Sequence, residues 1–288
     1  MTIPLIAEPG ELRAVLDGRR AEGQRVGLVP TMGALHAGHL SLIRRAVADC
    51  DTVAVSVYVN PLQFAPTDDL GSYPRDLDAD VAAAVGVGAH IVFAPSVDQM
   101  WPEPPVTVVR VEGISAPLEG QSRPGHFDGV ATIVVRLFGI AGACSAYFGE
   151  KDFQQLAVLR CVTRDLALPV AVVGCPIVRD PDGLALSSRN AYLTAGERQV
   201  ASHLYWGLLA GRRAIEDDGL TDPDAVVKAM ADAVAATPAF TLDYAAVVDP
   251  SDLSVPSRLS GEVRLLVAAE LGRTRLIDNI AATVAGCP

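Results

Sequence analysis

The chain has 288 residues, of which half are hydrophobic and 20% are charged, and its formal net charge is −11. A chain of this length can bury a large core and often divides into two domains, and the acidic balance argues against a nucleic-acid partner, whose binding requires basic surface. The five cysteines are scattered without CxxC spacing, which disfavours a disulfide framework or a zinc site and fits a reducing cytoplasm.

The N-terminal segment carries early acids and two prolines with no basic stretch before an apolar run, so we expect no signal peptide. Further along, the most apolar stretch, residues 130–148, is interrupted by Arg136, Gly139 and Gly142. This pattern predicts a buried helix followed by a strand and argues against a membrane span.

The first two-thirds of the chain alternate strand and helix patterns. Strands are predicted at residues 25–29, 52–59, 90–93, 146–148 and 170–173, and helices from about residue 38, at 76–85, at 127 to about 140 and at 152–166. The first of these strands is predicted to end at Pro30. Repeated β-α-β units of this kind predict a parallel sheet covered by helices on both faces.

The pattern changes after residue 190. Residues 194–215 and 222–236 are Ala-rich and predict helices, whereas residues 242–248 and 264–271 predict strands. The predicted fold is therefore α/β, with a Rossmann-like, doubly wound parallel sheet in an N-terminal domain, residues 1–178. A smaller α+β C-terminal domain, residues 179–288, completes the prediction.

The strongest local signal is PTMGALHAGH, residues 30–39, between the first predicted strand and the first predicted helix. Ligands of doubly wound sheets bind outside the carboxyl ends of the strands, and a helix N-terminus presents N–H groups and positive dipole to phosphate. His36 and His39 are three residues apart, so on a first helical turn they are neighbours that could bind phosphate oxygens. Gly33 and Gly38 would let the backbone approach a ligand closely. The alternative is two surface histidines on an ordinary loop.

Two further segments carry polar side chains at strand ends. YVNPLQF, residues 58–64, follows the second strand with the amides of Asn60 and Gln63, which suit a substrate with hydroxyls and a carboxylate; an Asn-Pro turn with an exposed glutamine is the alternative. In FGEKDFQQ, residues 148–155, Lys151 offers a point charge to phosphate, while Asp152 could simply cap the next helix.

A fourth segment, LSSRN at residues 186–190, lies at the proposed domain boundary. Two hydroxyls and a guanidinium there could grip a triphosphate, although a helix-capping turn would have the same composition. Residues 119–127, EGQSRPGHF, add Arg123 and His126, which could place positive charge near a carboxylate or phosphates.

An HxGH turn resembles the signature of the nucleotidyltransferase superfamily, and the longer string PTMGALHxGH resembles the pantothenate synthetase family. The resemblance runs in order through the four segments and extends to LLVAAELGRTRLIDNI near the end, so it covers nearly the whole chain. Leu186 stands where the family string commonly has Met, and GIAGACSA, residues 139–146, is less polar than in relatives, which leaves the local strand boundary in doubt.

The resemblance implies an enzyme that uses ATP to adenylate pantoate and then joins the pantoyl group to β-alanine. It implies phosphate-charge roles for His36, His39, Lys151 and Arg189. It implies ATP contacts from Met32, Gly33, Ala34, Leu35, His36, Ala37, Gly38, His39, Gly149, Glu150, Lys151, Asp152, Val178, Leu186, Ser187, Ser188 and Arg189. It implies pantoate binding by Gln63 and Gln155, with Asn60 assisting.

The resemblance also implies Mg²⁺ on the ATP phosphates, a homodimer, and a cytoplasmic enzyme with no membrane or nucleic-acid partner. Because such a magnesium ion is largely water-coordinated, no carboxylate cage is required, and Asp68, Asp69 and Asp76 are possible outer-sphere partners. His39 is the best candidate for donating a proton to a leaving phosphate.

Three other functions stay open at this point. Another HxGH nucleotidyltransferase would adenylate a phosphorylated acceptor, for which more cations would be expected than the amides of Gln63 and Gln155 provide. A tRNA ligase is disfavoured by the acidic balance and by the absence of an anticodon-binding domain. A nucleotide sensor would bind ATP without turnover, but both histidines, Lys151 and Arg189 are present together.

Overall fold

The computed structural model describes residues 3–65, 69–71 and 73–285. The chain forms two compact units. The first comprises Met1–Glu150 and Gln154–Pro176, and the second comprises Lys151–Phe153 and Ile177–Pro288. Three residues in the middle of the sequence therefore belong with the C-terminal part.

The first unit is built on a six-stranded parallel sheet. Its strands are β1 (Leu5–Ile6), β2 (Val26–Thr31), β3 (Thr52–Val57), β4 (Ile91–Phe93), β5 (Cys144–Gly149) and β6 (Val170–Cys175). The order across the sheet is β1-β4-β3-β2-β5-β6, and every neighbouring pair is parallel. Because the chain adds strands on one side of β2 up to β4 and then continues on the other side with β5, the topology switches between β2 and β5, where such sheets bind ligands.

Helices cover both faces of this sheet. They are α1 (Pro9–Ala21), α2 (Ala37–Asp49), α3 (Leu77–Gly86), α4 (Val97–Met100), α5 (Glu119–Ser122), α6 (His126–Ala141) and α7 (Phe153–Asp165). Leu28 of β2 packs with α1 and α6 in one core, whereas the next residue, Val29, packs with α2 in the other. Successive strand side chains point to opposite faces, so two cores are the direct consequence of one buried sheet.

The second unit has an antiparallel sheet of β7 (Phe240–Val248), β8 (Glu262–Leu271) and β9 (Thr274–Thr283) in that order. Its helices are α8 (Ala195–Val200), α9 (His203–Glu216) and α10 (Pro223–Ala235). Buried aliphatic side chains of α9 and α10 pack with those of the sheet in one core. The predicted fold class, a Rossmann-like doubly wound parallel sheet with a smaller α+β part, is confirmed.

Several predicted boundaries need correction. β2 continues through Pro30 to Thr31, past the part that pairs with β5, near a strand end where a missing N–H is tolerated. The single helix predicted at 194–215 is two helices, α8 and α9, and β9 was not predicted. The doubtful boundary near residue 142 is settled by Gly142, which ends α6 with φ 71° before β5 begins. No helix among the described residues is long and apolar enough to cross a membrane.

Candidate active site

The turn after β2 has a left-handed backbone. Gly33 and Ala34 have φ values of 84° and 50°, the second of which is unusual for a residue with a Cβ. The Thr31 hydroxyl donates to the Ser56 carbonyl at 2.6 Å and accepts from Gly33 N at 3.2 Å, which ties the turn to β3.

Asp80 of α3 fixes the next two residues of this turn. Its carboxylate, 3% exposed, accepts from Ala34 N at 3.0 Å and from Leu35 N at 2.7 Å. A Cβ at Gly33 would lie 2.7 Å from Asp80 Oδ2, so glycine is required there by the carboxylate. Sequence reasoning missed Asp80, which is one of several acids near the start of the helix predicted at residues 76–85.

His36 and His39 begin α2 as a reciprocal cap. Gly38 N donates to His36 Nδ1 at 3.1 Å, His36 N donates to His39 Nδ1 at 3.4 Å, and the two ring centroids lie 4.1 Å apart. Since each Nδ1 accepts an N–H, the proton of each neutral ring lies on Nε2. Both Nε2 groups can thus donate to an anion at the N-terminus of α2, where the helix dipole also favours negative charge.

Asn60 and Gln63 form the turn after β3. Asn60 is 1% exposed; its Nδ2 donates to Gln63 Oε1 at 3.1 Å and to the Gly129 carbonyl at 3.2 Å, and its Oδ1 accepts from Leu62 N at 3.3 Å. Gln63 Nε2 approaches Met32 Sδ at 3.1 Å. The two turns adjoin because Thr31 and Val57 are paired at the ends of β2 and β3. Asn60 is therefore placed to orient Gln63, and burial limits its contact with substrate.

Helix α6 supports the Gln63 turn through backbone contact. A Cβ at Gly129 would lie 2.1 Å from the Leu62 carbonyl oxygen and 2.6 Å from Gln63 Cα. Only a residue without a side chain lets the 3₁₀ turn Pro61–Gln63 lie this close to the helix.

His126, the first residue of α6, also contacts this turn. Its Nδ1 lies 2.9 Å from the Gln63 carbonyl oxygen, and its Nε2 lies 3.0 Å from Arg123 Nη1. A carbonyl only accepts and a guanidinium only donates, so the ring is neutral with its proton on Nδ1. The structure places Arg123 and His126 beside Gln63, with the positive charge on Arg123.

The turn after β5 divides between the two units. Gly149 ends β5, and the 3₁₀ turn Glu150–Asp152 precedes α7. Buried Gln154 accepts from Glu119 N at 3.0 Å and donates to the Ile114 and Pro117 carbonyls at 3.0 and 2.7 Å, which anchors the segment before α5. Gln155 is only half-buried on the next position of α7.

Lys151 and Asp152 belong to the second unit. Lys151 Nζ lies 3.8 Å from Asp152 Oδ1, and its backbone carbonyl accepts from Asn279 Nδ2 at 2.8 Å. Asp152 is half-exposed, so its pairing with the lysine leaves room for solvent. Sequence reasoning missed Asn279, because a polar residue in an apolar strand gives no sign of its partner.

The residues around LSSRN follow a short hairpin in the second unit. Leu186 N donates to the Val178 carbonyl at 3.0 Å, so these two residues are brought side by side. Ser187 then begins the 3₁₀ turn Ser188–Tyr192, and its hydroxyl accepts from Arg189 N at 3.3 Å. Ser188 and Arg189 are the first two residues of this turn, which Ser187 caps.

Acidic side chains give a limited choice of metal ligands. Among the described residues no group of three or more His, Cys, Asp or Glu side chains could hold a metal ion. The Asp76 carboxylate accepts from Ala79 N at 3.0 Å and caps α3. Asp68 lies outside the described residues, as does the side chain of Asp69.

A parallel sheet with a topological switch, two imidazoles at a helix N-terminus and amides at the next strand end together define an α/β enzyme of the nucleotide-binding class. The family model described as Pantoate-beta-alanine ligase matches residues 4–281. The chain belongs to that family.

Similar proteins and solved structures carry names of the same family. The chain is 50% identical over 279 residues to the pantothenate synthetase of Rhodospirillum rubrum, covering 96% of this chain and 98% of that protein. It is 46% identical over 276 residues to that of Koribacter versatilis, covering 96% and 94%. The crystal structure of pantothenate synthetase from Thermus thermophilus matches with a TM-score of 0.91 at 46% identity, covering 96% of this chain and 99% of that one.

A ligand-bound structure is also similar. The pantoate-beta-alanine ligase from Francisella tularensis, complexed with beta-gamma ATP and beta-alanine, matches with a TM-score of 0.79 at 30% identity and covers 97% of both chains.

Proposed function

We propose that the protein condenses (R)-pantoate with β-alanine to pantothenate, with ATP cleaved to AMP and pyrophosphate through a pantoyl-adenylate intermediate. The observation that carries this proposal is the adjacency of two turns: the paired histidines at the start of α2 and the Gln63 amide after β3. One turn is suited to phosphate and the other to a small hydroxy acid. The ligands of the Francisella tularensis relative support the same reaction.

In the first step, the pantoate carboxylate attacks the α-phosphorus of ATP and pyrophosphate leaves. Charge on the phosphates rises as the bond breaks, and Nε2–H donors of His36 and His39 are set to stabilise it. Lys151 and Arg189 add positive charge, and Ser187 and Ser188 orient phosphate oxygens. Because its Nδ1 accepts the His36 N–H, the neutral His39 ring stabilises the leaving phosphate through an Nε2–H hydrogen bond and keeps its proton.

In the second step, the β-alanine amine attacks the acyl carbon of the adenylate, AMP leaves and the amine loses a proton. No protein nucleophile is required, since the substrates supply both reacting groups, and catalysis comes from positioning and electrostatics. Gln63 and Gln155 hold pantoate, while Asn60 keeps the Gln63 amide in place through its 3.1 Å hydrogen bond.

The assignment of domains follows the same division of labour. The first unit is the ATP- and pantoate-binding domain, predicted at residues 1–178. The second unit, predicted at residues 179–288 and including Lys151–Phe153, is the smaller lid domain with the LSSRN turn. The nucleotide lies along the backbone of residues 32–39, with its phosphates at the start of α2. The amides of Ala34 and Leu35 already donate to Asp80, so the N-terminus of α2 and the histidines make the phosphate contacts.

Mg²⁺ binds with ATP, coordinated chiefly by phosphate oxygens and water. This mode requires no cage of protein carboxylates. Dependence of AMP formation on added magnesium, with loss of activity in excess EDTA, is the expected result; full activity in EDTA would contradict it.

The enzyme is a cytoplasmic homodimer. The described cysteines Cys50, Cys144, Cys161 and Cys175 are unpaired, as in a reducing compartment. The segment between α4 and α5 supports the dimer, because it has no helix or strand and exposes large apolar side chains, with Val106 98% and Val108 61% exposed.

That segment is also attached to α6 by two contacts. Val109 N donates to Thr132 Oγ1 at 2.9 Å, and the Arg110 guanidinium pairs with Asp128 at 2.7 Å. A segment that contacts α6 and also exposes large apolar side chains is suited to covering by a second copy of the chain.

The test is AMP formation by the purified protein with ATP, magnesium, pantoate and β-alanine, each omitted in turn. AMP that forms only with both acids, together with pantothenate, is the expected result. If the protein binds ATP but forms no product from these acids, only membership of the nucleotidyltransferase superfamily would remain supported, and other acceptors should be screened.

A further inference from the structure

Asn279 of β9 binds the backbone of Lys151, 128 residues away in sequence. Asn279 is 1% exposed, and its Nδ2 donates to the Lys151 carbonyl at 2.8 Å. Its Oδ1 accepts from Arg264 Nε at 2.7 Å. A guanidinium only donates and a carbonyl only accepts, so the amide can face them in one orientation alone.

Residues 151–153, which include Lys151, are attached to the sheet of the second unit at a second point. The Arg264 guanidinium, on β8, lies over the ring of Phe153, 4.2 Å from its centroid. Arg264 is 8% exposed, which makes the cation–π contact stronger than on an open surface. Asn279 and Arg264 together attach both ends of residues 151–153 to the sheet of the second unit.

The backbone of Asn279 is itself fixed. Its N–H donates to Asp278 Oδ1 at 2.7 Å, and Asp278 forms a bidentate pair with Arg179 at 2.5 and 2.9 Å. Arg179 lies over the ring of Tyr205 at 4.0 Å. Buried, charge-assisted networks of this kind hold a side chain in a single geometry.

We propose that Asn279 is a positioning residue for Lys151, holding the lysine backbone so that its ammonium group meets the ATP phosphates. The proposal rests on the proposed function in one respect, the action of Lys151 on phosphate. The lysine side chain is a flexible stem with a point charge, so its position depends on where its backbone is fixed. Misplacing such a group by about 1 Å can cost roughly 100-fold in rate.

The test is Asn279→Asp, which keeps an acceptor for Arg264 and replaces the donor to Lys151 by an oxygen that repels the carbonyl. We expect kcat for AMP formation to fall roughly 10- to 100-fold while circular dichroism stays that of the wild type. The matched control is Ile280→Val, the neighbouring core residue of β9, which weakens the same strand without touching Lys151. Its kcat should stay within twofold of the wild type.

A double-mutant cycle separates positioning from general loss of structure. In a Lys151→Ala background, Asn279→Asp should change kcat less than twofold, because the group that it positions is gone. If the fold-decrease in kcat of the double variant equals the product of the fold-decreases of the two single variants, the proposal is overturned. An Asn279→Asp enzyme with wild-type kcat would also overturn it. If Asn279→Asp does not fold, Asn279→Ala takes its place, and failure of both to fold would overturn the proposal in favour of a structural role.

Binding of ATP keeps the proposal testable without turnover. Calorimetry should show Asn279→Asp weakening the Kd for ATP several-fold in the wild type and leaving it unchanged in Lys151→Ala. If the wild type forms no AMP with pantoate and β-alanine, the proposed function fails, and these Kd values still decide the role of Asn279. An unaltered Kd in Asn279→Asp would then contradict it.

Discussion

At the scale of single residues, His39 has two nitrogens with different tasks. Nδ1 accepts from the His36 backbone at 3.4 Å, so the proton of the neutral ring lies on Nε2, the nitrogen that we propose donates to phosphate. We expect His39→Ala to lower kcat by roughly 100- to 1000-fold, the usual scale for losing one acid–base or charge-stabilising group. Steady-state AMP formation measures this.

The control for that variant is His203→Ala in the second unit, whose ring stacks on Trp206 at 3.9 Å and contacts Thr237. It removes a histidine of similar exposure without altering the α2 turn and should keep wild-type kcat. A fall of less than about threefold in His39→Ala would remove the catalytic role.

Asp80 holds the turn that leads to the histidines, and its two oxygens each accept one backbone N–H. Asp80→Asn keeps one acceptor and directs an amide N–H toward the other donor. Charge-assisted hydrogen bonds contribute about 1.5–3 kcal/mol each, so we expect kcat/KM for ATP to fall roughly 10- to 100-fold. Asp78→Asn, exposed on the same helix, is the matched control and should have no effect. A folded Asp80→Asn enzyme with unchanged kcat/KM would show that the turn holds its shape without the carboxylate.

Residue-scale features differ in how far the sequence predicts them. The pairing of His36 and His39 is predictable because a spacing of three on a helix is a local property. The roles of Asp80 and Asn279 depend on backbone groups 45 and 128 residues away. In the sequence, Asp80 is one of several acids at a helix start, and Asn279 is a polar interruption of a strand.

At the scale of elements, α6 and the Gln63 turn can lie close together because Gly129 of α6 has no side chain. Gly129→Ala would place a Cβ 2.1 Å from the Leu62 carbonyl oxygen, so the turn must move away. We expect KM for pantoate to rise at least tenfold, and the free energy of unfolding to fall by about 1–3 kcal/mol, as for other overpacked sites. Initial rates and urea denaturation measure the two effects.

The same helix offers a control for helix propensity. A Cβ at Gly139 would have nothing within 4 Å, so Gly139→Ala should raise stability by about 0.5–1 kcal/mol and leave KM unchanged. If Gly129→Ala and Gly139→Ala had the same KM for pantoate and the same free energy of unfolding, α6 and the Gln63 turn would have to adjust to each other without cost.

Element boundaries show where sequence patterns fail. The buried strands of the parallel sheet are predictable from continuous β-branched runs such as TVAVSV. β9 was missed because Arg275, Asp278 and Asn279 interrupt its apolar pattern, and each of them has a partner in the second unit that only the fold supplies. β2 was predicted too short because Pro30 tolerates a position near the end of the strand.

At the scale of the whole molecule, the change of pattern after the parallel sheet is visible in the sequence, but the path of the chain is not. Residues 151–153 belong to the second unit although Glu150 and Gln154 on either side belong to the first. Their membership depends on Asn279 and Arg264, which bind them through side chains. The segment FGEKDFQQ is continuous in sequence, but its residues are divided between the two units.

The apolar outer face of the segment between α4 and α5 tests the assembly. Val106 and Val108 are 98% and 61% exposed, although the segment is fixed to α6 at Val109. We expect light scattering to give the wild type the mass of a dimer. The double variant Val106→Lys/Val108→Lys should have the mass of a monomer, because two charges cannot be buried without partners.

Val255→Lys, at a valine 63% exposed in the second unit, is the matched control and should remain a dimer. A wild type that is monomeric at all concentrations would contradict the proposed dimer. A double variant that still dimerises would show that the dimer contact lies elsewhere. The segment would then be attached within one chain, through the hydrogen bond to Thr132 and the ion pair with Asp128, with no partner chain covering it.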